Sequence, residues 1–229
     1  MKAVILAGGQ GKRLRPLTED KPKPLIPILG RPIIEWQILW LKKYGVKEFL
    51  ICTGYLKEKI VERLGNGRRL GVRIAYLVEE EPLGTGGAVK NAEPFLKNEE
   101  GFLLLNGDII TNLNPMRLLE IDDYKMNIAL VKMPSPYGIV KVDEEVVVDF
   151  EEKPLLPYWI NAGVYYIKPE ALAYFPEKGD LERATLPKLA KEKKLKATKY
   201  TDVFWKSIDV YKDIEEAEKH IEINNIVNL

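Results

Sequence analysis

Ala3-Val4-Ile5-Leu6-Ala7-Gly8-Gly9-Gln10-Gly11-Lys12-Arg13-Leu14-Arg15-Pro16-Leu17-Thr18 opens the chain, and Pro22-Lys23-Pro24-Leu25-Ile26-Pro27 follows shortly after. The apolar run Val4 to Ala7 has the continuity of a strand buried on both faces. It ends at Gly8, Gly9 and Gly11, and Lys12, Arg13, Arg15 and Lys23 come close behind. Glycines let backbone N–H groups approach oxygens closely, and the cations neutralise charge. A buried strand that delivers its end into such a loop is suited to meet phosphate. The loop is not a P-loop, because Gly11-Lys12 is followed by Arg13 and the earlier glycine position holds Leu6. Nor is it a dinucleotide fingerprint, because the third glycine position after Gly9-x-Gly11 holds Leu14. The plainer reading of the same residues is a tight strand-to-helix turn with solvated charges.

Working outward, the strand–helix alternation continues. Pro32 opens a helix to about Tyr44, closed by Gly45; Phe49 to Thr53 reads as a strand and Tyr55 to Leu64 as a helix. Arg73 to Val78 is a third strand. A second glycine-rich turn, Pro82-Leu83-Gly84-Thr85-Gly86-Gly87-Ala88, leads into a short helix, and Phe102 to Leu105 is a strand ending at Asn106-Gly107-Asp108. This pattern predicts a parallel sheet with helices on both faces. The later half is more mixed: a helix over Asn114 to Asp123, strands at Asn127–Met133, Ile139–Val142, Val146–Phe150, Trp159–Ile167 and Lys196–Tyr200, and helices near Pro169–Tyr174, Leu181–Glu192 and Val210–Asn224. The 229 residues show no linker, repeat or low-complexity stretch. They read as one domain, with a nucleotide-binding half over about 1–110 and a second half over about 111–229 that shapes the other substrate site.

Composition limits the chemistry. The formal net charge of +1 implies no general attraction to nucleic acid or membrane, so basic residues act locally. No apolar run approaches the span of a bilayer and no signal peptide precedes the first strand, which predicts a soluble, cytoplasmic protein. Cys52 is the one cysteine and reads as a buried strand thiol; His220 is the one histidine and reads as a solvated residue of the last helix. Zinc sites and Ser/Cys–His triads are therefore excluded within the chain. Carboxylates, lysines, arginines and backbone amides remain, an inventory suited to phosphoryl or nucleotidyl transfer with magnesium. Asp108 is the first metal candidate, since it follows the C-terminal end of a buried strand, where open α/β sheets place ligands. A plain Asn-Gly-Asp turn is the alternative.

Taken together, Leu6-Ala7-Gly8-Gly9-x-Gly11-x-Arg13-Leu14-x-Pro16-Leu17-Thr18 and Pro22-Lys23-Pro24-Leu25-x-Pro27 resemble the signature of sugar-1-phosphate nucleotidyltransferases. Further matches follow in family order: Glu79-x-x-Pro82-Leu83-Gly84-Thr85-Gly86-Gly87, Asn106-Gly107-Asp108, Tyr137-Gly138, Glu151-Glu152-Lys153-Pro154, Asn161-Ala162-Gly163-Val164 and Glu182-Arg183. The resemblance covers essentially the whole chain. It implies a single-domain Rossmann-like αβα sandwich with a mixed, mainly parallel sheet. The implied reaction is attack of a sugar-1-phosphate oxygen on a nucleotide α-phosphorus, with pyrophosphate leaving.

The resemblance also implies roles. Leu6, Gly8, Gly9, Gly11, Gly84 and Thr85 would contact the nucleotide, Arg13 the departing β- and γ-phosphates, and Lys23 the α-phosphate. Lys153 would grip the phosphate of the sugar phosphate. Glu152, Asn161 and Glu182 would meet sugar hydroxyls, and Gly138 and Gly163 would leave room for the ring. Most of the family carries an Asp two residues after a late Trp as its second magnesium ligand; here that position is Ser207. Some relatives place the Asp four residues after the Trp, which makes Asp209 the ligand paired with Asp108 around Mg²⁺; Asp213 is then a surface or capping residue. The resemblance puts a base-reading side chain at Glu79. An ionised carboxylate only accepts hydrogen bonds, which matches the two adjacent donors of guanine. The expectation is GTP with mannose 1-phosphate or a heptose phosphate. UTP, dTTP or CTP with glucose 1-phosphate is the alternative, as is an acidic loop whose base contacts come from backbone. Longer relatives carry a C-terminal left-handed β-helix, and no hexapeptide repeat appears here. The oligomeric state stays open, a homo-oligomer included. A non-catalytic nucleotide-sugar sensor is the reading from another class; the presence of Arg13, Lys23, Asp108 and Lys153 favours the enzyme.

Overall fold

The structure, a computed structural model, describes residues 1–223. Seven strands form the central sheet: β1 (Lys2–Ala7), β2 (Glu48–Thr53), β3 (Arg73–Val78), β4 (Phe102–Asn106), β5 (Met126–Pro134), β6 (Leu155–Ile167) and β7 (Leu195–Tyr200). Their order is β7-β5-β6-β4-β1-β2-β3. Strands β4, β1, β2 and β3 are mutually parallel, β6 is antiparallel to both β4 and β5, and β7 is parallel to β5. The fold is thus the expected α/β arrangement on a mixed sheet. From β1 the chain builds outward to β2 and β3, then returns to β1's other side as β4. That reversal is the switch point of an open α/β sheet, and it opens a crevice beyond the C-terminal ends of β1 and β4.

Alternation along β1 explains the layering. Ala3, Ile5 and Ala7 pack into a core with α1 (Ile33–Lys43) and α2 (Lys57–Leu64). Val4 faces the other way, into a core with α3 (Gly84–Asn91), α4 (Glu93–Leu96) and α5 (Thr185–Lys191). A strand covered by helices on both sides needs apolar residues at every position, which is why β1 reads as a continuous run. A third apolar cluster, including Leu14, Ile26, Trp36, Ile110, Ile208 and Ala217, ties the opening loop to α6 (Tyr211–Ile223). It brings the first and last parts of the chain together beside the crevice.

Some expected elements change form. The helix predicted over Asn114 to Asp123 is a 3₁₀ turn, Pro115–Leu119. Asn114 caps it by accepting from Met116 N, but the buried Asn127 side chain donates to the carbonyls of Leu118 and Glu120, which a continuing helix would use. The Pro169–Tyr174 segment is also 3₁₀, and the helix expected from Leu181 begins at Thr185. Asn224, the expected end of the last helix, lies outside the described residues. His220 is half-buried, not solvated: its ring stacks on Phe204 at 3.7 Å, and burial pulls its pKa down. Trp36 and Trp40 pack in the core, donating from their indole nitrogens to the carbonyls of Ile28 and Leu113. The strands Ile139–Asp143 and Val146–Glu151 form a two-stranded ribbon apart from the main sheet. No helix among the described residues is long and apolar enough to cross a membrane.

Candidate active site

Because β1 to β4 run parallel, the loops that leave them gather on one edge. Gly8, Gly9, Lys23, Glu79, Gly84, Thr85, Asn106 and Asp108 line one cleft there of about 290 Å³, together with Leu6 and Asp180. Two residues of that cleft permit no side chain. A Cβ on Gly107 would lie 2.3 Å from the carbonyl oxygen of Leu6, to which Gly107 N donates at 3.0 Å. Gly84 has φ +78° and would meet the Gly179 backbone at 2.7 Å. The first contact seats the Asp108 turn against the end of β1, and the second seats the start of α3 against the 176–180 loop.

Asp108 and Asp209 converge from distant parts of the sequence. A short antiparallel ladder pairs Ile109–Thr111 with Trp205–Ser207, placing Ser207 opposite Ile109, and Ile208 N donates to the carbonyl of Asp108 at 2.8 Å. Lys23 Nζ sits between the two carboxylates, 2.7 Å from Asp108 Oδ2 and 3.0 Å from Asp209 Oδ1. Arg13 reaches the same Asp209 oxygen at 2.8 Å. Ser207 Oγ donates to Asp209 Oδ2 at 2.8 Å, so the residue standing at the usual aspartate position supports Asp209. Burial pushes the Asp209 pKa up, but Lys23, Ser207 and Arg13 outweigh it and hold the carboxyl below its ordinary value. Asp213 Oδ2 accepts from the backbone N–H groups of Asp209 and Val210, both at 2.8 Å, which caps the entry to α6.

Among the described residues no three His, Cys, Asp or Glu side chains converge as a metal cage. Two carboxylates that already share one cation are the donor set of a hard ion completed by water and phosphate oxygens. That set fits Mg²⁺ and does not fit zinc.

On the other side of the cleft, Glu79 follows β3, with its N–H donating to the Thr53 carbonyl. Its Oε2 accepts from Leu83 N at 3.2 Å, and the carboxylate lies against Gly8, where an added Cβ would come within 3.5 Å. Burial raises its pKa, partly offset by the Leu83 N–H. Cys52 also lines this cleft; burial, with Glu79 adding to it, pushes the thiol up to about 12, so it is no nucleophile.

The expected sugar-side residues divide. Glu182 Oε2 accepts from Thr85 Oγ at 2.8 Å, which joins a sugar candidate to the nucleotide loop. Asn161 Oδ1 accepts from Gly163 N at 2.9 Å, and its amide donates to Tyr165 Oη. Gly163 has φ +69° and would clash with the Asn106 side chain if it carried a Cβ. Gly138 packs against Phe150 and Glu152. Glu152 and Lys153 do not line the cleft. They are exposed, 3.0 Å from each other, at the end of the separate ribbon. Sequence reasoning assigns no role to Asp180, which reaches the cleft on the 176–180 loop, or to Asn106, which is quoted only within Asn106-Gly107-Asp108 and reaches the cleft as the last residue of β4.

A cleft at the switch point, walled by glycine loops and Lys23 and flanked by the Asp108–Asp209 pair that Lys23 bridges, has the character of a phosphate-transfer site. A model of the family described as nucleotidyl transferase matches residues 2–224, and the chain belongs to that family. It is similar to D-glycero-alpha-D-manno-heptose 1-phosphate guanylyltransferase of Campylobacter jejuni, with 36% identity over 231 residues covering 98% of this chain and 100% of the relative. It is 38% identical to mannose-1-phosphate guanyltransferase 2 of Candida glabrata, covering 93% of this chain and 62% of that protein. Among solved structures, HddC from Yersinia pseudotuberculosis superposes with a TM-score of 0.77 at 28% identity, covering 96% of this chain and 99% of the other. These relationships place the chain among the sugar-phosphate nucleotidyltransferases.

Proposed function

We propose that this chain transfers a nucleoside monophosphate from GTP to mannose 1-phosphate, or to a manno-configured heptose 1-phosphate, with Mg²⁺, releasing pyrophosphate. The observation that carries the reading is the Lys23–Asp108–Asp209 cluster at one wall of a cleft whose other wall is Glu79. In the reaction a phosphate oxygen of the sugar phosphate bonds to the α-phosphorus, and the bond from that phosphorus to the bridging oxygen of pyrophosphate breaks. Asp108 and Asp209 would hold the metal ion, which would supply positive charge at the phosphoryl oxygens. Lys23, stiffened by Pro22 and Pro24, swings from its carboxylates to the α-phosphate. Arg13 is exposed and turns to the β- and γ-phosphates, where charge accumulates as pyrophosphate departs. Gly8, Gly9 and Gly11 offer amides, and Thr85 and Glu182 link the nucleotide to the sugar. Lys153 would take the phosphate of the sugar phosphate and Glu152 a sugar hydroxyl, both reaching in from the end of the ribbon outside the cleft. The ionised Glu79 accepts from guanine N1–H and the 2-amino group, a pairing that uracil, thymine and cytosine cannot complete.

The test is pyrophosphate release from GTP, UTP, dTTP and CTP, each with mannose, heptose and glucose 1-phosphates and Mg²⁺. Turnover with GTP and a manno-configured phosphate supports the reading. Turnover with UTP or dTTP alone overturns the base assignment, and none with any pair supports a binding subunit.

A further inference from the structure

Gln37 stands on α1, between Trp36 and Ile38, and is 2% exposed. Its amide nitrogen donates two hydrogen bonds, to the carbonyl of Asn106 at 2.8 Å and to the carbonyl of Ile109 at 3.0 Å. Those carbonyls bracket the turn Asn106-Gly107-Asp108-Ile109. The front of the same turn is held by Gly107 N on Leu6 and by Ile208 N on the Asp108 carbonyl. Gln37 Oε1 has no hydrogen-bond partner among the described residues. A buried amide that leaves its acceptor unpaired is retained for its donors, since an unmatched buried acceptor costs stability that an apolar side chain would not incur.

We infer that Gln37 is a positioning residue for the metal site: its two donors pin both ends of the turn and so fix where the Asp108 carboxylate points. The inference rests on the reading of Asp108 as a metal ligand. Lys23 meets both Asp108 and Asp209 at hydrogen-bond distance, so a displacement of the turn by a fraction of an ångström unsettles the whole cluster. Groups one step removed from a metal are typically worth ten- to a hundredfold in metal affinity. No local pattern in the sequence marks Gln37 for this, because its partners lie about seventy residues away in the chain.

The experiment titrates Mn²⁺ into the protein with a non-hydrolysable GTP analogue and reads free Mn²⁺ by electron paramagnetic resonance. Wild type, Gln37→Met and Asp108→Asn are compared, with thermal unfolding measured on each. Methionine fills the volume and removes both donors. Gln37→Met is expected to unfold within a few degrees of wild type and to bind Mn²⁺ about tenfold more weakly. In turnover its half-saturating Mg²⁺ rises while the KM for sugar phosphate stays unchanged, a split that loss of general packing would not produce. Wild-type Mn²⁺ affinity in Gln37→Met beside a loss in Asp108→Asn overturns this inference alone. Wild-type affinity in Asp108→Asn overturns the metal assignment and the inference with it. If Gln37→Met does not fold, Gln37→Glu is read in the same assay. It keeps the size and offers at most one donor, so undiminished affinity there also overturns the role.

Discussion

Replacing Lys23 with methionine removes the ammonium that Asp108 and Asp209 share. The two carboxylate oxygens sit 2.7 and 3.0 Å from that nitrogen, so they are separated by no more than about 5.7 Å. At that spacing two unit charges repel by about 3 kcal/mol for an effective dielectric near 20. Both carboxylates are roughly 30% exposed, so water and salt reduce the term to about 1–2 kcal/mol. Arg13 remains on Asp209 but is mostly in solvent and compensates little. For a chain of this size the loss corresponds to a melting temperature lower by about 3–6 °C. If the two carboxylates form a metal site, Mg²⁺ answers the same repulsion. An ion present at about ten times its dissociation constant returns about 1.4 kcal/mol. In the wild type the gain is smaller, because Mg²⁺ must displace Lys23 from the carboxylates. Thermal unfolding of both proteins with and without Mg²⁺, at low ionic strength, measures the difference. Lys23→Met should melt lower and be raised more by Mg²⁺ than wild type. A variant whose melting temperature responds to Mg²⁺ no more than wild type would refute the shared-site reasoning.

Three further outcomes are expected. Asp209→Ala should abolish metal-dependent turnover, whereas Asp213→Ala should keep it and lose about 1 kcal/mol of stability in denaturant titration, since Asp213 caps α6 through two backbone N–H groups. Glu79→Gln should lower the preference for GTP over UTP in competition assays. The Glu79 pKa lies above its ordinary value, so as pH falls this carboxylate takes up a proton earlier than an exposed glutamate would. The KM for GTP should then climb toward acid in wild type and stay flat in Glu79→Gln. The same shift means the fold disfavours the ionised form, so Glu79→Gln should melt slightly higher at neutral pH. Gly107→Ala forces a methyl group against the Leu6 carbonyl and should cost about 2–3 kcal/mol, read as a lower denaturation midpoint.

What the sequence reveals follows from how far each signal reaches. Strand β1 and its glycine loop are legible because burial on both faces leaves an unbroken apolar run, and the loop's residues are neighbours in the chain. Asp108 is legible as a strand-end carboxylate. Its meeting with Asp209 depends on the pairing of Ile109–Thr111 with Trp205–Ser207, and no local pattern gives that register. The residues of Asn114 to Asp123 carry a good helix start, yet the helix stops after a short turn because Asn127, a strand residue, takes two of its carbonyls. His220 reads as solvated from its charged neighbours in sequence, whereas Phe204 covers it in space. The ribbon Ile139–Asp143 and Val146–Glu151 is legible from alternation, but not its separation from the main sheet, which leaves Glu152 and Lys153 in solvent.

The charges at the site balance within themselves, and that constrains how substrates enter. Lys23 and Arg13 face Asp108 and Asp209, two cations against two anions, with Asp209 held ionised by the contact. Lys23 cannot serve a phosphate while it bridges the carboxylates, so in its proposed role nucleotide binding would be an exchange of partners. The carboxylates need a replacement cation before the lysine can leave at low cost, and the lysine needs a phosphate before its own desolvation is repaid. If the cluster binds both as proposed, metal and nucleotide should therefore bind with positive coupling, each weak without the other. On the roles proposed above, removing Lys23 uncouples them in one direction only: the metal would gain access to the carboxylates while the nucleotide would lose its α-phosphate contact. A protein in which Lys23→Met tightened Mg²⁺ and weakened GTP together would display that exchange directly, and one in which both weakened would show the lysine to be a support for the carboxylates instead.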